Sequence, residues 1–233
     1  RSFGAATTDD ERFLCVSGWE STSGNMLFVK DLSADKSIFV PIATDFEHDF
    51  NVIDNNGDKL IILTNQSAHN QRLILVDPAR PKPDHWEILV PEDSADVLQG
   101  AAVCGDKIIC SYLHHASSAL RVFDLQGKFL KEVTLPEIGT VGSISGKRGE
   151  AQAFFGFTSF LRPTTIYALD MNTLNTRIFK APKLDFNPDA YTTEQIWYPG
   201  KDGTRVPMFI TRKKNIARDG TNPTLLYGYG GFN

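Results

Sequence analysis

The C-terminal part of the sequence contains aromatic and glycine residues in an order that is suited to holding a ligand. An apolar run at residues 224–227 is followed at once by the glycine-rich tract 228–233, which carries Tyr229 and Phe232. A short apolar strand that opens into a glycine-rich loop is how an α/β sheet presents backbone groups to a ligand at its carboxyl edge. The sequence therefore predicts a strand over residues 224–227 and a ligand-contacting loop after it. The alternative interpretation is that Tyr229 and Phe232 are packing aromatics.

Four aspartates recur at nearly equal spacing along the chain. Asp31, Asp77, Asp124 and Asp170 each follow an apolar run, and the steps between them are 46, 47 and 46 residues. A ring of carboxylates is one interpretation, but we favour turn residues, because an aspartate side chain accepts hydrogen bonds from backbone N–H groups two residues further on. The pair His114-His115 stands at a predicted strand end and is interpreted as a solvated loop pair rather than as a ligand or catalytic base.

The sequence contains no motif for a catalytic serine, a metal site or a disulfide framework. The nucleophile elbow Gly-x-Ser-x-Gly does not occur, and the similar segment at residues 142–146 has Ile144 at its centre. Cysteine and histidine residues do not show the spacing of a metal site, so no metal is predicted. Three cysteines are too few and odd in number for a disulfide framework, and we predict that Cys15, Cys104 and Cys110 are buried thiols.

The elements that must position such residues form a repeat of about 46 residues. Each unit carries a β-rich run about 15 residues upstream of its aspartate, at residues 13–17, 60–64, 108–112 and 153–157. A last strand follows each aspartate, at residues 38–40, 86–89, 129–133 and 177–179, and three units also show an opening strand, at residues 50–52, 100–104 and 141–145. Convincing amphipathic helices are absent from residues 1–180. Tandem units of four antiparallel strands are typical of β-propeller blades, so an all-β fold with about four blades is predicted.

The repeat stops near residue 183, where proline and lysine make the composition linker-like. We therefore predict β-propeller blades over residues 1–183 and a different domain over residues 184–233. In this second region residues 194–198 and 206–211 are predicted strands, joined by a hairpin turn at residues 201–204.

Composition excludes several classes of function. The chain has 233 residues and a formal net charge of −4, and its longest basic run is Arg212-Lys213-Lys214, so nucleic acid is not an expected partner. No apolar stretch approaches the ~20 residues of a membrane-spanning helix, and no membrane partner is expected. The sequence starts without methionine or a signal peptide and stops inside the glycine-rich tract. We therefore expect a fragment of a longer protein.

The segments YPGKDGTRVPMFI at residues 198–210 and LLYGYGGFN at residues 225–233 resemble the prolyl oligopeptidase family of serine peptidases. FTSFL at residues 157–161 and YLH at residues 112–114 are also similar to that family. The resemblance implies a seven-bladed propeller followed by an α/β-hydrolase domain. The chain is then expected to hold about four of the seven blades and the first strands of the hydrolase domain.

The resemblance also implies roles for individual residues. Tyr229 matches the tyrosine whose hydroxyl helps to form the oxyanion hole, and Phe232 matches an aromatic residue of the pocket for the substrate's proline. Trp19 and Thr22 stand where family members place an arginine and a cysteine. No role is carried over to them, and the outer substrate subsite stays undefined.

The implied activity is hydrolysis of short peptides on the carboxyl side of proline, without a metal or organic cofactor. The propeller is expected to gate access, and the Ser-Asp-His triad is expected beyond residue 233, so the fragment alone is predicted to be inactive. The parent is expected to be a cytoplasmic monomer, with the periplasm as the alternative, whereas the fragment is expected to self-associate. A non-catalytic propeller that binds proteins or peptides is the alternative function.

Overall fold

A computed structural model of the chain describes residues 1–228. The fold is all-β, and the only helical segments in these residues are two 3₁₀ turns, Pro83–His85 and Pro188–Ala190. The chain forms two compact units, Arg1–Lys183 and a second unit that begins at Leu184.

The first unit contains four antiparallel sheets of four strands each, and neighbours in sequence are neighbours in every sheet. This arrangement confirms the four predicted strand units and is consistent with part of a β-propeller. Sheet 1 contains β1 (Ser2–Thr7), β2 (Phe13–Trp19), β3 (Met26–Asp31) and β4 (Val40–Ala43). Sheet 2 contains β5 (Phe50–Asn56), β6 (Lys59–Thr64), β7 (Arg72–Val76) and β8 (Glu87–Val90). Sheet 3 contains β9 (Val97–Cys104), β10 (Lys107–His114), β11 (Ser117–Asp124) and β12 (Phe129–Val133), and sheet 4 contains β13 (Thr140–Ser145), β14 (Gln152–Thr158), β15 (Thr165–Asp170) and β16 (Thr176–Lys180).

The sheets pack through three apolar clusters, each shared by two consecutive sheets. Strand β6 shows how alternation produces this packing, because successive side chains of a strand point to opposite faces. Leu60 and Ile62 are buried with side chains of sheet 1, whereas Ile61 and Leu63 are buried with side chains of sheet 3. The third cluster joins sheet 3 to sheet 4 around Phe155. The described residues therefore form a row of four sheets with three apolar interfaces.

The repeated aspartates act as turn residues, as the sequence predicted. The carboxylate of Asp31 accepts the N–H of Ser33, that of Asp77 accepts the N–H of Ala79, and Asp124 and Asp170 make the same contact with the residues two positions on. Each side chain thus closes the turn after the third strand of its sheet.

The predicted strand positions differ from the structure in sheet 1. The opening strand β1 was not predicted, because Ser2–Thr7 lacks large apolar residues other than Phe3. The final strand was predicted over residues 38–40, but β4 starts at Val40 and continues through Pro41. Proline is tolerated there because β4 is the edge strand of its sheet, where a missing N–H costs no ladder hydrogen bond.

The described part of the second unit, residues 184–228, contains one hairpin. Strand β17 (Tyr191–Pro199) pairs with β18 (Arg205–Lys213), and the predicted turn between them is closed by Gly200, whose N–H donates to the carbonyl of Thr204 at 2.7 Å. The predicted strand at residues 224–227 is wrong, because these residues are not in a strand and Leu225 is 91% exposed. An apolar segment forms a strand only where a neighbouring strand is available to pair with it.

Candidate functional site

The first strands of all four sheets line one cavity, which we call the channel. Its volume is about 580 Å³, and its walls include Thr7 of β1, Asp54 of β5, Ala102 of β9 and Ile144 of β13. The turns that follow these strands, including Asp9 and Lys147, form part of the same wall. The channel is therefore bounded by side chains that lie far apart in the sequence.

Asp54 is the buried carboxylate of the channel wall. A bulge between Val52 and Asp54 shifts the pairing of β5 with β6, and such a bulge re-aims the side chain that follows it. The Asp54 side chain is 5% exposed, and its Oδ1 accepts the backbone N–H of Asp9 at 3.0 Å. A buried carboxylate needs a cationic or hydrogen-bonding partner, because desolvation of an unpaired charge is costly.

Arg148, which belongs to sheet 4, is the cationic partner of Asp54 in sheet 2. It lies in the turn between β13 and β14, and its Nε and Nη2 donate to Asp54 Oδ2 at 3.1 and 2.7 Å. The backbone N–H of Arg148 also donates to Asp9 Oδ2 at 3.0 Å, and its guanidinium contacts the carbonyl of Asn55. Arg148 thus joins sheet 4 to sheets 1 and 2 at the channel wall.

The turn that carries Arg148 is held on sheet 3 as well. The N–H of Gly105 donates to the carbonyl of Lys147 at 3.1 Å, and the Cys104 thiol lies 3.6 Å from the carbonyl of Glu150. The six residues between β13 and β14 are more than the two that separate β9 from β10. The extra length allows this turn to reach across the channel.

A second polar cluster lies beside the turn between β10 and β11. Arg121 donates to Asp93 at 3.0 Å and to Glu132 at 3.1 Å, and it also contacts Asp96, whose side chain is 3% exposed. His114 Nδ1 lies 2.6 Å from Asp96 Oδ1. Burial alone would lower the pKa of Arg121, but its hydrogen bonds to Glu132 and Asp96 raise it. The guanidinium therefore stays charged and neutralises the buried carboxylate.

The structure places the sequence-predicted residues as follows. Tyr229 and Phe232 lie outside the described residues, and the packing and oxyanion interpretations of them both stay predictions. Trp19 is half-buried at the end of β2, next to Gly4, and Thr22 is exposed. His114 is the last residue of β10 and His115 lies in the turn after it; both are exposed. The prediction of a solvated loop pair therefore holds for His115, whereas His114 contacts the buried Asp96, which was not foreseen.

The three cysteines are buried and free, as predicted. Burial raises the pKa of the Cys15 thiol to about 11, so it is a poor nucleophile near neutral pH. In residues 1–228 no group of three or more histidine, cysteine, aspartate or glutamate side chains is arranged to hold a metal ion. None of the helices in that part of the chain is long and apolar enough to cross a membrane.

Sequence reasoning missed Asp54, Arg148, Asp96 and Arg121. The polar composition of residues 147–150, before the β-rich run at residues 153–157, is the one local signal for a turn that carries Arg148. Contacts between residues more than 90 positions apart, such as Arg148 with Asp54, leave no trace in local spacing.

Comparison with known proteins places these features in a family. A sequence profile of the prolyl oligopeptidase N-terminal β-propeller domain matches residues 1–182. The chain is 37% identical to the prolyl endopeptidase of Elizabethkingia meningoseptica over 233 residues, which is 100% of this chain and 33% of that protein. It is also 37% identical to the prolyl endopeptidase of Elizabethkingia miricola over 226 residues, which is 97% of this chain and 32% of that protein. The chain thus spans about a third of the length of these relatives.

Solved structures similar to this chain belong to the same family of peptidases. A prolyl endopeptidase structure superposes with a TM-score of 0.86 at 34% identity, covering 98% of this chain and 33% of that one. The apo structure of prolyl oligopeptidase B from Galerina marginata superposes with a TM-score of 0.84 at 27% identity, covering 94% of this chain and 32% of that one.

Proposed function

The chain belongs to the prolyl oligopeptidase family of serine peptidases, and we propose that it is part of an enzyme that hydrolyses short peptides on the carboxyl side of proline. Residues 1–183 supply blades of the propeller, and residues 184–233 supply the first strands of the α/β-hydrolase domain. Strands β17 and β18 are then the first hairpin of that domain.

The observation that carries the proposal is the extent of the match. The propeller profile ends at residue 182, but the similarity to the Elizabethkingia meningoseptica enzyme continues through residue 233. A propeller that only binds proteins or peptides has no reason to carry the aromatic-glycine tract 228–233. The match beyond residue 182 therefore favours the peptidase over the binding module.

Two residues of this chain are proposed to act at the reaction centre. The hydroxyl of Tyr229 donates a hydrogen bond to the oxygen that becomes negative when the catalytic serine attacks the peptide carbonyl. Phe232 packs against the proline ring, which is rigid and apolar and needs no polar partner. The serine, its histidine base and the aspartate that orients the histidine are expected in the remainder of the enzyme. No metal or organic cofactor is required.

The propeller is proposed to control access to that centre. A folded protein is too wide for the channel, whereas an extended peptide is narrow, so a propeller beside the active site selects short peptides. The whole enzyme is proposed to act as a monomer, in which the remaining blades cover the outer faces of sheets 1 and 4.

Hydrolysis of matched reporter peptides by the full-length protein tests the proposal. We expect cleavage after proline, much slower cleavage of the same peptide with alanine in place of proline, and complete inhibition by a serine-directed phosphonylating reagent. The 233-residue chain alone is expected to give no turnover. Binding of the proline peptide without cleavage by the full-length protein would favour the binding module instead.

A further inference from the structure

A polar contact repeats between consecutive sheets, in addition to the apolar clusters. The N–H of an apolar residue near the start of β5, β9 and β13 donates to an oxygen of the preceding sheet, at the entry to the third strand of that sheet. The donors are Phe50, Leu98 and Val141, and their acceptors are Asn25 Oδ1 at 2.8 Å, the Asn70 carbonyl at 2.9 Å and Ser118 Oγ at 2.9 Å. We call this contact the joint.

Two of the three joints share the same two-point form. The N–H of Asn25 donates to the carbonyl of His48, and the N–H of Ser118 donates to the carbonyl of Gly139. Each of these carbonyls belongs to the residue two positions before the donor of that joint. Asn25 and Ser118 both lie six residues before the turn aspartate of their sheet. The joint is therefore tied to a position in the repeat, where either an amide or a hydroxyl oxygen serves as acceptor.

Each joint also buries the side chain of its donor. The donors Phe50, Leu98 and Val141 are buried, and each belongs to the apolar cluster shared with the preceding sheet. An N–H group in such surroundings needs an acceptor, because a buried backbone donor without one is costly. The hydrogen bond and the apolar contact therefore form together when one sheet packs on the next.

Phe3 occupies the donor position of sheet 1. It pairs with Gly18, which pairs with Met26, and Met26 lies five residues before its turn aspartate. The donors of the other three sheets stand in the same register. Unlike them, Phe3 is 66% exposed, since sheet 1 is the first of the row.

Thr164 occupies the acceptor position of sheet 4. It lies six residues before Asp170, as Asn25 and Ser118 do before their turn aspartates. Thr164 is exposed, and its Oγ1 lies 2.7 Å from Oγ1 of Thr158 in the same sheet. A hydroxyl oxygen carries two acceptor lone pairs, so Thr164 is able to keep this contact and still accept an N–H.

We propose that Phe3 and Thr164 are the two halves of a further joint, through which a second copy of this chain docks head to tail. The Phe3 N–H of one copy donates to Thr164 Oγ1 of the other, and the Phe3 ring packs on the face of sheet 4 that includes Phe179. A second copy fits because the chain carries both halves, and the three internal joints show that such halves are complementary. The inference goes beyond the proposed function, since it does not require peptidase activity.

The direction of docking follows from the same geometry. The two halves are different surfaces, so the contact is heterologous, and a pair of copies keeps one unused half at each end. Docking of sheet 1 on sheet 1, or of sheet 4 on sheet 4, would bring two donors or two acceptors together. Such pairs do not form a joint.

Cross-linking between two differently labelled chains tests this direction. In sheets 1 and 2 the N–H of Gly24 donates to Asp49 Oδ1 at 2.8 Å, and the equivalent positions in the proposed contact are Pro163 and Ser2. Both are exposed, and neither is a half of the joint. A mixture of Ser2→Cys and Pro163→Cys chains, treated with a short bismaleimide, should give a cross-linked pair.

The single-variant samples provide the comparison. Ser2→Cys alone and Pro163→Cys alone should give no more product than the unmodified chain, whose three cysteines are buried. Equal product in the mixture and in the single-variant samples would overturn head-to-tail docking. A mixture without product would overturn it as well.

Substitution of the two halves tests the joint itself. In the cross-linking mixture, Phe3→Ala should lower the yield about tenfold, because burial of the phenylalanine side chain is lost. Thr164→Val should lower it about fivefold, because one hydrogen bond is lost. Sedimentation velocity of the same substitutions in chains without added thiols should show a matching shift toward the monomer.

Matched controls keep the side-chain type and change the place. Phe129→Ala removes a phenylalanine that is 52% exposed on the outermost strand of sheet 3, and Thr22→Val removes an exposed hydroxyl in a loop of sheet 1. Both should leave the yield unchanged. Equal losses in the control and joint variants would overturn the assignment of Phe3 and Thr164.

The full-length protein separates this inference from the proposed function. There the remaining blades are proposed to cover sheets 1 and 4, so the same mixture of full-length chains should give no cross-link between copies. A cross-link in that sample would refute the monomeric enzyme and support the joint. Failure of the full-length protein to cleave proline peptides would refute the proposed function, while the mixture of 233-residue chains would still decide the docking.

Discussion

Aspartate side chains occur in three environments in this chain: exposed turns, a buried ion pair within one sheet, and a buried ion pair between two sheets. Asp31 and Asp170 sit in exposed turns and accept hydrogen bonds from groups two residues on. Asp96 is buried against Arg121, and Asp54 is buried against a guanidinium that comes from another sheet. The first use could be predicted from sequence, because the contacts are local. The other two could not, because the partners of Asp96 and Asp54 are brought close only by the packing of strands.

At the residue scale, Tyr229 gives the sharpest test of the proposed chemistry. In the full-length enzyme Tyr229→Phe should lower kcat about 10²–10³-fold with little change in KM, because a lost oxyanion donor acts on the transition state. Tyr227→Phe is the matched control, since it removes a tyrosine hydroxyl two residues away that is not proposed to contact the oxyanion, and it should leave kcat near its original value. Steady-state hydrolysis of a proline reporter peptide measures both, and equal kcat values in the two variants would rule out the oxyanion role.

The turn aspartates predict how stability depends on pH. The pKa of Asp170 is lowered by backbone N–H groups of Thr173 and Asn172, and the pKa of Asp31 is lowered by the hydroxyl of Ser33. A carboxylate with a lowered folded-state pKa stabilises the fold above its unfolded-state pKa of about 3.9, and this contribution is lost as pH falls through the folded-state pKa. The melting temperature should therefore fall as the pH drops below about 4.

An asparagine variant tests the source of this acid sensitivity. Asp170→Asn keeps an oxygen acceptor in the turn but cannot be protonated, so the melting temperature should fall less steeply with acid than in the parent chain. Asp35→Asn, in an exposed loop, is the control and should follow the parent curve. Circular dichroism melts across the acid range make the measurement, and identical curves for all three chains would contradict the assignment.

At the scale of the elements, alternation along a strand decides which side chains carry stability. Ile61 and Ile88 lie in the same sheet, but Ile61 is fully buried and Ile88 is 59% exposed on the outermost strand. Ile61→Ala should reduce the free energy of unfolding by about 2–5 kcal/mol, because the substitution leaves a cavity between sheets 2 and 3.

The matched variant Ile88→Ala should change that free energy by less than about 0.5 kcal/mol. Urea denaturation followed by tryptophan fluorescence measures both variants. Similar losses at the two positions would mean that the faces of sheet 2 are not divided as described.

The strands of sheets 2 to 4 were predictable because β-branched and aromatic residues alternate between polar turns. Strand β12 (Phe129–Val133) was predicted with its exact bounds. Strand β1 was not predicted, because its composition does not favour a strand. It forms a strand by pairing with β2. The segment at residues 224–227 shows the reverse case, since its composition favours a strand and no pairing partner lies beside it in the described chain.

At the scale of the whole molecule, the two end sheets each have one face outside the three apolar clusters. On sheet 1 this face includes Leu14 and Val16, and on sheet 4 it includes Phe154 and Phe179, whose rings contact edge to face at 4.9 Å. The sequence predicted the number of sheets but not that Arg148 would reach from the fourth sheet to the first two. That contact depends on the curvature of the row, which no local pattern encodes.

The uncovered faces predict that the 233-residue chain self-associates. Phe179 is 57% exposed on the end sheet, and contiguous apolar surface of this kind drives association. Light scattering should give a mass above that of the 25.9 kDa monomer, and Phe179→Lys should shift the mass distribution toward the monomer. Ile88→Lys, on an inner sheet, is the control and should not shift it. A single monomeric species for the unmodified chain would contradict the prediction.

The division of β6 between two clusters also has an evolutionary consequence. Each inner sheet gives one set of side chains to the sheet before it and the alternate set to the sheet after it, as Leu60 and Ile61 do. A duplicated stretch of about 46 residues therefore has complementary apolar surfaces on both faces. Gene duplication can lengthen or shorten the row of sheets without a new type of core.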